Sequence, residues 1–330
     1  MANENPEEIL KLARGFMESR ILLTGAELNL FTLLQNRSMT AHEIAAQFGM
    51  TIRPLEILLD ALTAMGMLTK EEGFYHCGPP VSTFLAADAP DTVLPMVLHL
   101  AHLWPRWAEL TRIVRNDEKS PKQSNGSGDA QELQAFIGAM HVIARSRASE
   151  IVAAVKPEAV KQLLDVGGAS GTYTIAFLRA VNGMKATLFD QPGVMEMARE
   201  RLAQEGLLDR VTLVCGDFYR DGLPPGHDLA FVSAIIHQNS PEQNRDLYRK
   251  IFRALIPGGR IVIRDHIMDE NRAAPKEGAV FAVNMLVATD KGATYTYDEI
   301  RTGLEQAGFH RIELLRRGEH MDGLVEAFKP

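Results

Sequence analysis

The C-terminal half of the chain alternates short apolar segments with helical segments, and this alternation restricts its possible folds more than any other feature. The segments that read as strands are short, apolar and rich in branched residues. Helical stretches separate the first six, which predicts a doubly wound, mostly parallel α/β sheet. The last two follow each other closely and predict an antiparallel pair. In chain order the predicted strands are QLLDVGG, KATLFD, VTLVCGD, LAFVSAII, GRIVIRD, RIELLRR and LVEAFK.

The N-terminal part, residues 8–112, has mostly helical periodicity, and its middle has a distinct order of elements. Ser38 or Thr40 can cap a short helix that Gly49 stops, and Thr51 begins a second helix that ends at Gly66. The segment MLTKEEGFYHC then predicts a hairpin that turns at residues 71–73. Helix, turn, helix and small wing are typical of a winged-helix domain.

A winged helix can read DNA or form a protein interface. The helix that would enter the groove, TIRPLEILLDALTAMG, contains one Arg and two acids, whereas groove reading requires Arg, Lys, Asn or Gln at its exposed start. The whole chain has 35 Lys and Arg against 42 Asp and Glu, a net charge of -7, which disfavours binding to phosphates. We therefore expect a homodimer interface and no nucleic-acid partner.

The length of 330 residues suits two domains. We expect a winged-helix dimerisation domain at 1–112, a polar loop and connecting helix at 113–156, and an α/β domain at 157–330. The Gly/Ser-rich stretch 114–130 predicts a mobile loop, and the segment ELQAFIGAMHVIARSRASEIVAAV after it predicts a helix. The sequence shows no signal-peptide pattern and no apolar run of about 20 residues, so we expect a cytoplasmic protein without a membrane partner.

Acidic and glycine residues follow three successive predicted strands. After the first strand the chain reads D-x-G-x-A-x-G, from Asp165 through Gly167 to Gly171, and glycines there allow a tight turn and close approach of a ligand. Asp190 ends the second strand at the distance expected of a ribose-binding acid. Asp217 and Phe218 follow the third strand. Because open α/β sheets bind ligands at the carboxyl ends of their strands, these residues predict a nucleotide-like site.

These motifs resemble those of class I S-adenosylmethionine-dependent methyltransferases. With the winged-helix part, nearly the whole chain is similar to the small-molecule O-methyltransferases of the caffeate and acetylserotonin type. The resemblance rests on the segments DVGGASG, FDQPGV, CGDF, IPGGRIVIRD and LEQAGF.

The resemblance implies a cofactor, S-adenosylmethionine, and a homodimer formed by the N-terminal domain. Asp165 and Gly167 would lie beside the methionine part of the cofactor, and Asp190 would hold the ribose. Asp217 and Phe218 would hold the adenine. The remaining residue expected in the cofactor site is Ser233.

His237 aligns with the catalytic histidine of that family. We expect it to end the fourth strand and to act as a general base toward a hydroxyl acceptor, because a phenol with a pKa of about 10 is mostly protonated at neutral pH. Asp265 matches one of the acids that flank the histidine in the family, and Thr294 stands where the other would be. The family pattern His-Asp-Trp reads His237-Gln238-Asn239 here, which leaves open a member with chemistry other than O-methylation. A winged-helix regulator that senses the cofactor is the alternative from another class.

Further residues suggest an acceptor pocket and argue against a metal. Met140 and Met285 match positions that line the substrate pocket in the family that the chain resembles, and packing as core methionines is the alternative. Together with Phe136 and Trp107 they would suggest a flat, apolar acceptor. His99 and His102 share a helix face without an evident third ligand, so packing is favoured over metal binding. His266 should point away from Asp265 if the strand continues through it.

Overall fold

The computed structural model describes residues 5–117 and 128–330, with side chains from 133 onward in the second range. Most of the polar stretch that was predicted to be a mobile loop lies outside the described residues. The chain divides into two compact units, one drawn from Met1–Pro105 and Lys122–Val142 and the other from Arg106–Pro121 and Ile143–Pro330. None of the helices in the described ranges has the length and apolar character that crossing a bilayer requires.

The first unit contains the predicted helix, turn, helix and hairpin. Thr40 caps α3 through a capping box with Glu43, and Gly49 ends that helix in the left-handed conformation. The hairpin strands β2 and β3 pair antiparallel, and β1 adds a third strand that was not predicted. The elements up to residue 108 are α1 (Pro6–Glu27), α2 (Leu30–Leu34), β1 (Met39–Thr40), α3 (Ala41–Phe48), α4 (Ile52–Ala64), β2 (Thr69–Glu71), β3 (Phe74–His76), α5 (Val81–Leu85) and α6 (Leu94–Ala108).

Helices α7 to α9 follow. The segment 132–155 was predicted as one helix, but it forms two, because the chain leaves helical geometry at Ser146–Arg147. Arg147 then begins the second of these helices, and its guanidinium forms an ion pair with the buried Asp322. The bounds are α7 (Leu110–Asn116), α8 (Gly128–Arg145) and α9 (Ala148–Val155).

Among the described residues of the second unit, seven strands form one sheet in the order β11-β12-β8-β7-β4-β5-β6. Its strands are β4 (Gln162–Val166), β5 (Lys185–Asp190), β6 (Val211–Cys215), β7 (His227–Ser233), β8 (Leu255–Asp265), β11 (His310–Arg316) and β12 (Gly323–Phe328). The strands from β4 to β8 pair in parallel. Strand β12 is antiparallel to both of its neighbours, β8 and β11. The predicted doubly wound sheet and its antiparallel last pair are confirmed.

Helices cover both faces of this sheet. Successive residues of β4 face opposite sides: Leu163 packs in a cluster with residues of α9 and α10, and Leu164 packs in a cluster with residues of α12 and α14. This double burial explains why the strands are almost continuously apolar. The helices of this half are α10 (Thr172–Ala180), α11 (Pro192–Gln204), α12 (Pro241–Ala254), α13 (Lys276–Ala288) and α14 (Tyr297–Ala307).

The end of the fourth predicted strand differs from the expectation. Strand β7 stops at Ser233, and Ala234 has a positive φ of 58°. His237 therefore does not end the strand but lies in a 3-10 turn at Ile236–Gln238. The apolar pair at 235–236 continued the strand pattern in sequence, yet these side chains are buried by packing against other segments, including the glycine turn after β4. Two further short strands, β9 (Ile267–Met268) and β10 (Tyr295–Thr296), pair in parallel beside this turn.

Candidate active site

A glycine turn joins β4 to α10 at the carboxyl edge of the sheet. Gly167 has φ +68° and Gly171 has φ +80°, both in the left-handed region that glycine adopts without steric cost. A Cβ on Gly167 would come within 2.5 Å of Ile235 Cδ1. The glycine thus lets the turn pass directly against the segment that leads to His237. Between the two glycines, Ala169 adopts φ +48°.

Two carboxylates hold this turn. Asp190 accepts a hydrogen bond from the backbone N–H of Ala169 at 2.8 Å, and burial raises its pKa. Asp165 is 2% exposed and accepts a hydrogen bond of 2.6 Å from the Thr174 hydroxyl. Burial, together with the charge of Asp190, raises the pKa of Asp165 to about 6. Asp165 therefore supports the turn from inside the protein, whereas Asp190 lies at its rim.

The loop after β6 carries the next predicted pair. Asp217 Oδ1 accepts a hydrogen bond of 2.9 Å from the N–H of Tyr219, and Phe218 packs on the Tyr219 ring with centroids 4.6 Å apart. A Cβ on Gly167 would lie 4.0 Å from Phe218 Cε1, so this loop reaches the glycine turn. Lys250 on α12 fixes the loop by donating to the carbonyls of Phe218 and Tyr219 at 2.7 and 3.1 Å.

Ser233 lies at the end of β7 against a buried guanidinium. Arg264 is 3% exposed and donates a hydrogen bond of 3.1 Å to the Ser233 hydroxyl, and its guanidinium carbon lies 5.3 Å from the centroid of the Tyr173 ring. Its Nε, like the hydroxyl of Ser170 in the glycine turn, is a buried polar atom without a hydrogen-bond partner among the described residues. Such orphaned atoms are costly unless a ligand or water satisfies them.

His237 and Asp265 form a buried pair. The histidine Nδ1 lies 2.9 and 3.0 Å from the two carboxylate oxygens of Asp265, and the two residues are 9% and 1% exposed. Burial alone would raise the pKa of Asp265, but the charges and hydrogen bonds of His237 and His266 outweigh it and hold the pKa below its usual value. An ionised Asp265 that accepts from Nδ1–H leaves the other ring nitrogen, Nε2, as a hydrogen-bond acceptor. No hydrogen bond of the described residues engages this Nε2.

Phe281 of α13 contacts both His237 and His266, a contact that no feature of the sequence indicated. Its ring meets that of His237 edge-on with centroids 4.8 Å apart, and it meets the ring of His266 at 4.9 Å. Strand β8 ends at Asp265 and does not continue through His266, so both histidines lie against the same aromatic ring. His266 also donates its backbone N–H to Asp265 Oδ1 at 2.8 Å. Phe281 thus limits how far the His237 ring can move.

The predicted acceptor residues fall into different units. Trp107 and Met285 belong to the second unit, and Phe136 and Met140 belong to the first. The indole N–H of Trp107 donates to Asn284 Oδ1 at 3.0 Å, which fixes the plane of the ring. Met285 follows Asn284 on α13 and is buried. Asn284 is a second contact that the sequence did not reveal.

Two of the residues that depart from the family pattern, Asn239 and Thr294, are buried and take part in hydrogen bonds. Asn239 is fully buried and hydrogen-bonded, and Tyr295 donates its hydroxyl to the Asn239 carbonyl. Thr294 is also buried, and its carbonyl accepts from Arg272 at 3.0 Å. At this position no second carboxylate is available to His237, so Asp265 is its acid partner.

The donor set fits S-adenosylmethionine. Carboxylates at the ends of β5 and beyond β6 suit ribose hydroxyls and an adenine amine, an aromatic ring stands beside them, and orphaned polar atoms lie near the glycine turn. Within the described part of the chain, no group of three or more His, Cys, Asp or Glu side chains could hold a metal ion.

Family comparison matches the chain in two parts. An O-methyltransferase domain matches residues 107–310, and an O-methyltransferase dimerisation domain matches residues 10–87. The chain belongs to the O-methyltransferase family. It is therefore an S-adenosylmethionine-dependent O-methyltransferase, and the dimerisation domain supports a homodimer.

Relatives of this O-methyltransferase match over almost their whole lengths. The 3-hydroxy-5-methyl-1-naphthoate 3-O-methyltransferase of Streptomyces sahachiroi is 30% identical, and the match covers 94% of this chain and 91% of that protein. The tetracenomycin polyketide synthesis 8-O-methyl transferase TcmO of Streptomyces glaucescens is 32% identical over 92% of this chain and 91% of that protein. A solved structure of PigF with S-adenosylhomocysteine superposes with a TM-score of 0.88 at 26% identity, covering 98% of this chain and 100% of that one.

Proposed function

We propose that this O-methyltransferase methylates a phenolic hydroxyl of a small aromatic molecule, with His237 as general base and Asp265 as its orienting acid. The buried His237–Asp265 pair carries the proposal, because it presents Nε2 as the acceptor of a proton. The similar proteins named for a hydroxynaphthoate and for tetracenomycin support an aromatic acceptor of two or more rings.

The cofactor site of this proposal is the carboxyl edge of β4 to β7. Asp190 would accept the ribose hydroxyls, and Asp217 and Phe218 would hold the adenine. Gly167 would lie beside the methionine end of the cofactor, and Asp165 would support the glycine turn from inside the protein. Ser233, which accepts a hydrogen bond from Arg264, would lie at the same end. When bound, S-adenosylmethionine supplies a methyl group activated by a positive sulfonium.

His237 acts on the acceptor. Its Nε2 takes the phenol proton as the oxygen becomes nucleophilic, and the ionised Asp265 stabilises the imidazolium that forms. Phe281 restricts the ring to the orientation set by Asp265. Such a base contributes about 10²- to 10⁴-fold in rate, and alignment of the reacting groups contributes separately.

Trp107 and Met285 of the second unit would contact the acceptor, and Phe136 and Met140 of the first unit stay sequence predictions for the same role. These are two aromatic rings and two adaptable thioethers, which suit a flat apolar ligand. The N-terminal domain would act as a winged helix that dimerises and does not bind DNA.

The test is transfer of a labelled methyl group from S-adenosylmethionine to a panel of hydroxynaphthoates and larger phenols. His237→Ala should lower the rate by about 10²-fold or more with little change in cofactor affinity. His227→Gln is the matched control. His227 is also buried, but it lies at the beginning of β7, where it forms a hydrogen bond with Thr187. Unchanged transfer in His237→Ala would exclude the base role. Tight binding of S-adenosylhomocysteine without transfer to any hydroxyl would favour a family member with other chemistry.

A further inference from the structure

The loop beyond β6 reaches the turn that carries His237 through a chain of side chains. The phenol O–H of Tyr219 donates to Asn239 Oδ1 at 2.5 Å, and the Asn239 amide donates to Asn244 Oδ1 at 2.9 Å. Asn244 in turn donates to the carbonyl of Ile236, inside the 3-10 turn, at 3.0 Å. Four residues thus connect the proposed adenine loop with the residue that precedes His237.

This connection crosses the proposed cofactor site. Strand β6 is separated from β7 by β5 and β4, about 14 Å at the usual spacing of neighbouring strands. The Tyr219 side chain and the loop span this gap at the edge where the glycine turn lies. A cofactor bound across β4 and β5 would therefore contact the same loop that holds Asn239.

The hydrogen bonds of Asn239 are suited to transmit a displacement of Tyr219 to the turn that carries His237. It is 0% exposed, and its amide oxygen accepts from one side of the site while its amide nitrogen donates to the other. Tyr295 also holds its carbonyl. Buried hydrogen bonds of this kind require defined geometry, so a shift of Tyr219 leaves a buried acceptor unsatisfied unless the turn follows. The family tryptophan at this position offers no amide for such bonds.

We propose that Tyr219 and Asn239 are positioning residues that couple occupancy of the adenine loop to the placement of His237. The coupling rests on the proposed function, since it assumes that the cofactor's adenine lies at Asp217 and Phe218. Neither residue touches the reacting atoms; they act through the backbone of the turn at Ile236–Gln238.

The test uses nuclear magnetic resonance of the full-length protein labelled with ¹⁵N-histidine, with S-adenosylhomocysteine as the probe. The His237 imidazole signal is assigned by its loss in His237→Gln. In the wild type the probe should move this signal. In Tyr219→Phe, which keeps the ring against Phe218 but lacks the hydroxyl, the probe should bind within about threefold of the wild-type Kd, because the removed hydroxyl bonds Asn239 and not the probe. The movement of the His237 signal should nevertheless fall to less than about half.

Tyr297→Phe is the matched control, because Tyr297 also donates its hydroxyl to an oxygen acceptor outside its own segment, the backbone carbonyl of Ile312, at 2.9 Å. It should respond as the wild type does. Asn239→Ser removes the acceptor of the same hydrogen bond. The double variant with Tyr219→Phe should reduce the movement of the His237 signal no more than either single variant does. If Asn239→Ser does not fold, Tyr219→Phe decides alone.

An equal response of His237 in wild type and Tyr219→Phe would overturn the coupling, as would a wild-type signal that the probe does not move. A loss of affinity of about tenfold or more in Tyr219→Phe would instead make Tyr219 a binding residue and would also overturn it. These outcomes are independent of the base role, which the His237→Ala transfer assay tests. Once a methyl acceptor has been identified, Tyr219→Phe should lower kcat by about tenfold, while the KM for S-adenosylmethionine stays within about threefold of the wild-type value.

Discussion

Nδ1 of His237 lies 2.9 Å from Oδ1 of Asp265, and both side chains are buried. The pKa of Asp265 is held below its usual value, so in the proposed reaction this carboxylate would fix the ring and favour its protonated form. Asp265→Asn keeps an oxygen that can accept from Nδ1–H but loses the charge. We expect kcat to fall by about 10²-fold or more, measured as methyl transfer at saturating acceptor. A rate within about threefold of the wild type would show that the carboxylate charge does not assist the histidine.

Asp190→Asn should weaken the binding of S-adenosylhomocysteine. The carboxylate now accepts the N–H of Ala169 and is proposed to accept ribose hydroxyls, and hydrogen bonds to a charged acceptor contribute about 1.5 to 3 kcal/mol each. We expect Kd, measured by titration calorimetry, to rise by about 10- to 100-fold. Asp228→Asn is the control, because Asp228 also accepts backbone N–H groups, those of Lys161 and Gln162, but at the beginning of β4, the opposite end of that strand from the glycine turn. An equal Kd for Asp190→Asn and the wild type would remove Asp190 from the cofactor site.

Asp165→Asn should change the pH dependence of stability. The pKa of Asp165 is raised to about 6 in the folded protein from an ordinary value of 3.8. Because the folded state binds this proton more tightly than the unfolded state, the contribution of Asp165 to stability is complete below about pH 4 and is lost as the pH rises through about 6. The amide cannot ionise, and it can still accept the Thr174 hydroxyl.

The free energy of unfolding of Asp165→Asn, relative to that of the wild type, should therefore increase by about 2.4 kcal/mol between pH 4 and pH 7. Urea denaturation of the cofactor-free protein at both pH values measures this difference, and titrating groups that do not interact with Asp165 cancel between the two proteins. A difference that stays constant with pH would mean that the Asp165 carboxyl has an ordinary pKa.

Leu12→Glu and Phe16→Glu should weaken self-association. Both side chains lie on α1 and are 74% and 54% exposed, together with Ile9, Leu10 and Met17 of the same helix. An apolar surface of this size is typical of an interface, and the dimerisation-domain match covers it from residue 10 onward. A buried Glu at such an interface costs several kcal/mol. Sedimentation velocity should show a shift from dimer to monomer, whereas Lys11→Glu on the same helix should leave the dimer intact.

Local patterns were sufficient for most of the fold. The strands of the large sheet read as apolar runs because both faces are covered, and Thr40 with Glu43 marked the beginning of α3 through a local hydrogen-bond motif. The same local logic failed at residues 234–238, where apolar residues continue past the end of β7. They are buried by packing against other segments, including the glycine turn, and no window of sequence contains those partners.

The sequence by itself determined the alternation of strands and helices in the large sheet, the glycine turn, and the acids Asp190 and Asp217 at the ends of the second and third strands. These depend on periodicity and on residue types at the ends of neighbouring strands. Only the tertiary structure decided that Asp165 points into the protein to Thr174, that Phe281 contacts His237, and that Tyr219 meets Asn239. The reason is physical: these contacts join segments 9 to 44 residues apart, and their distances depend on how helices and loops pack over the sheet.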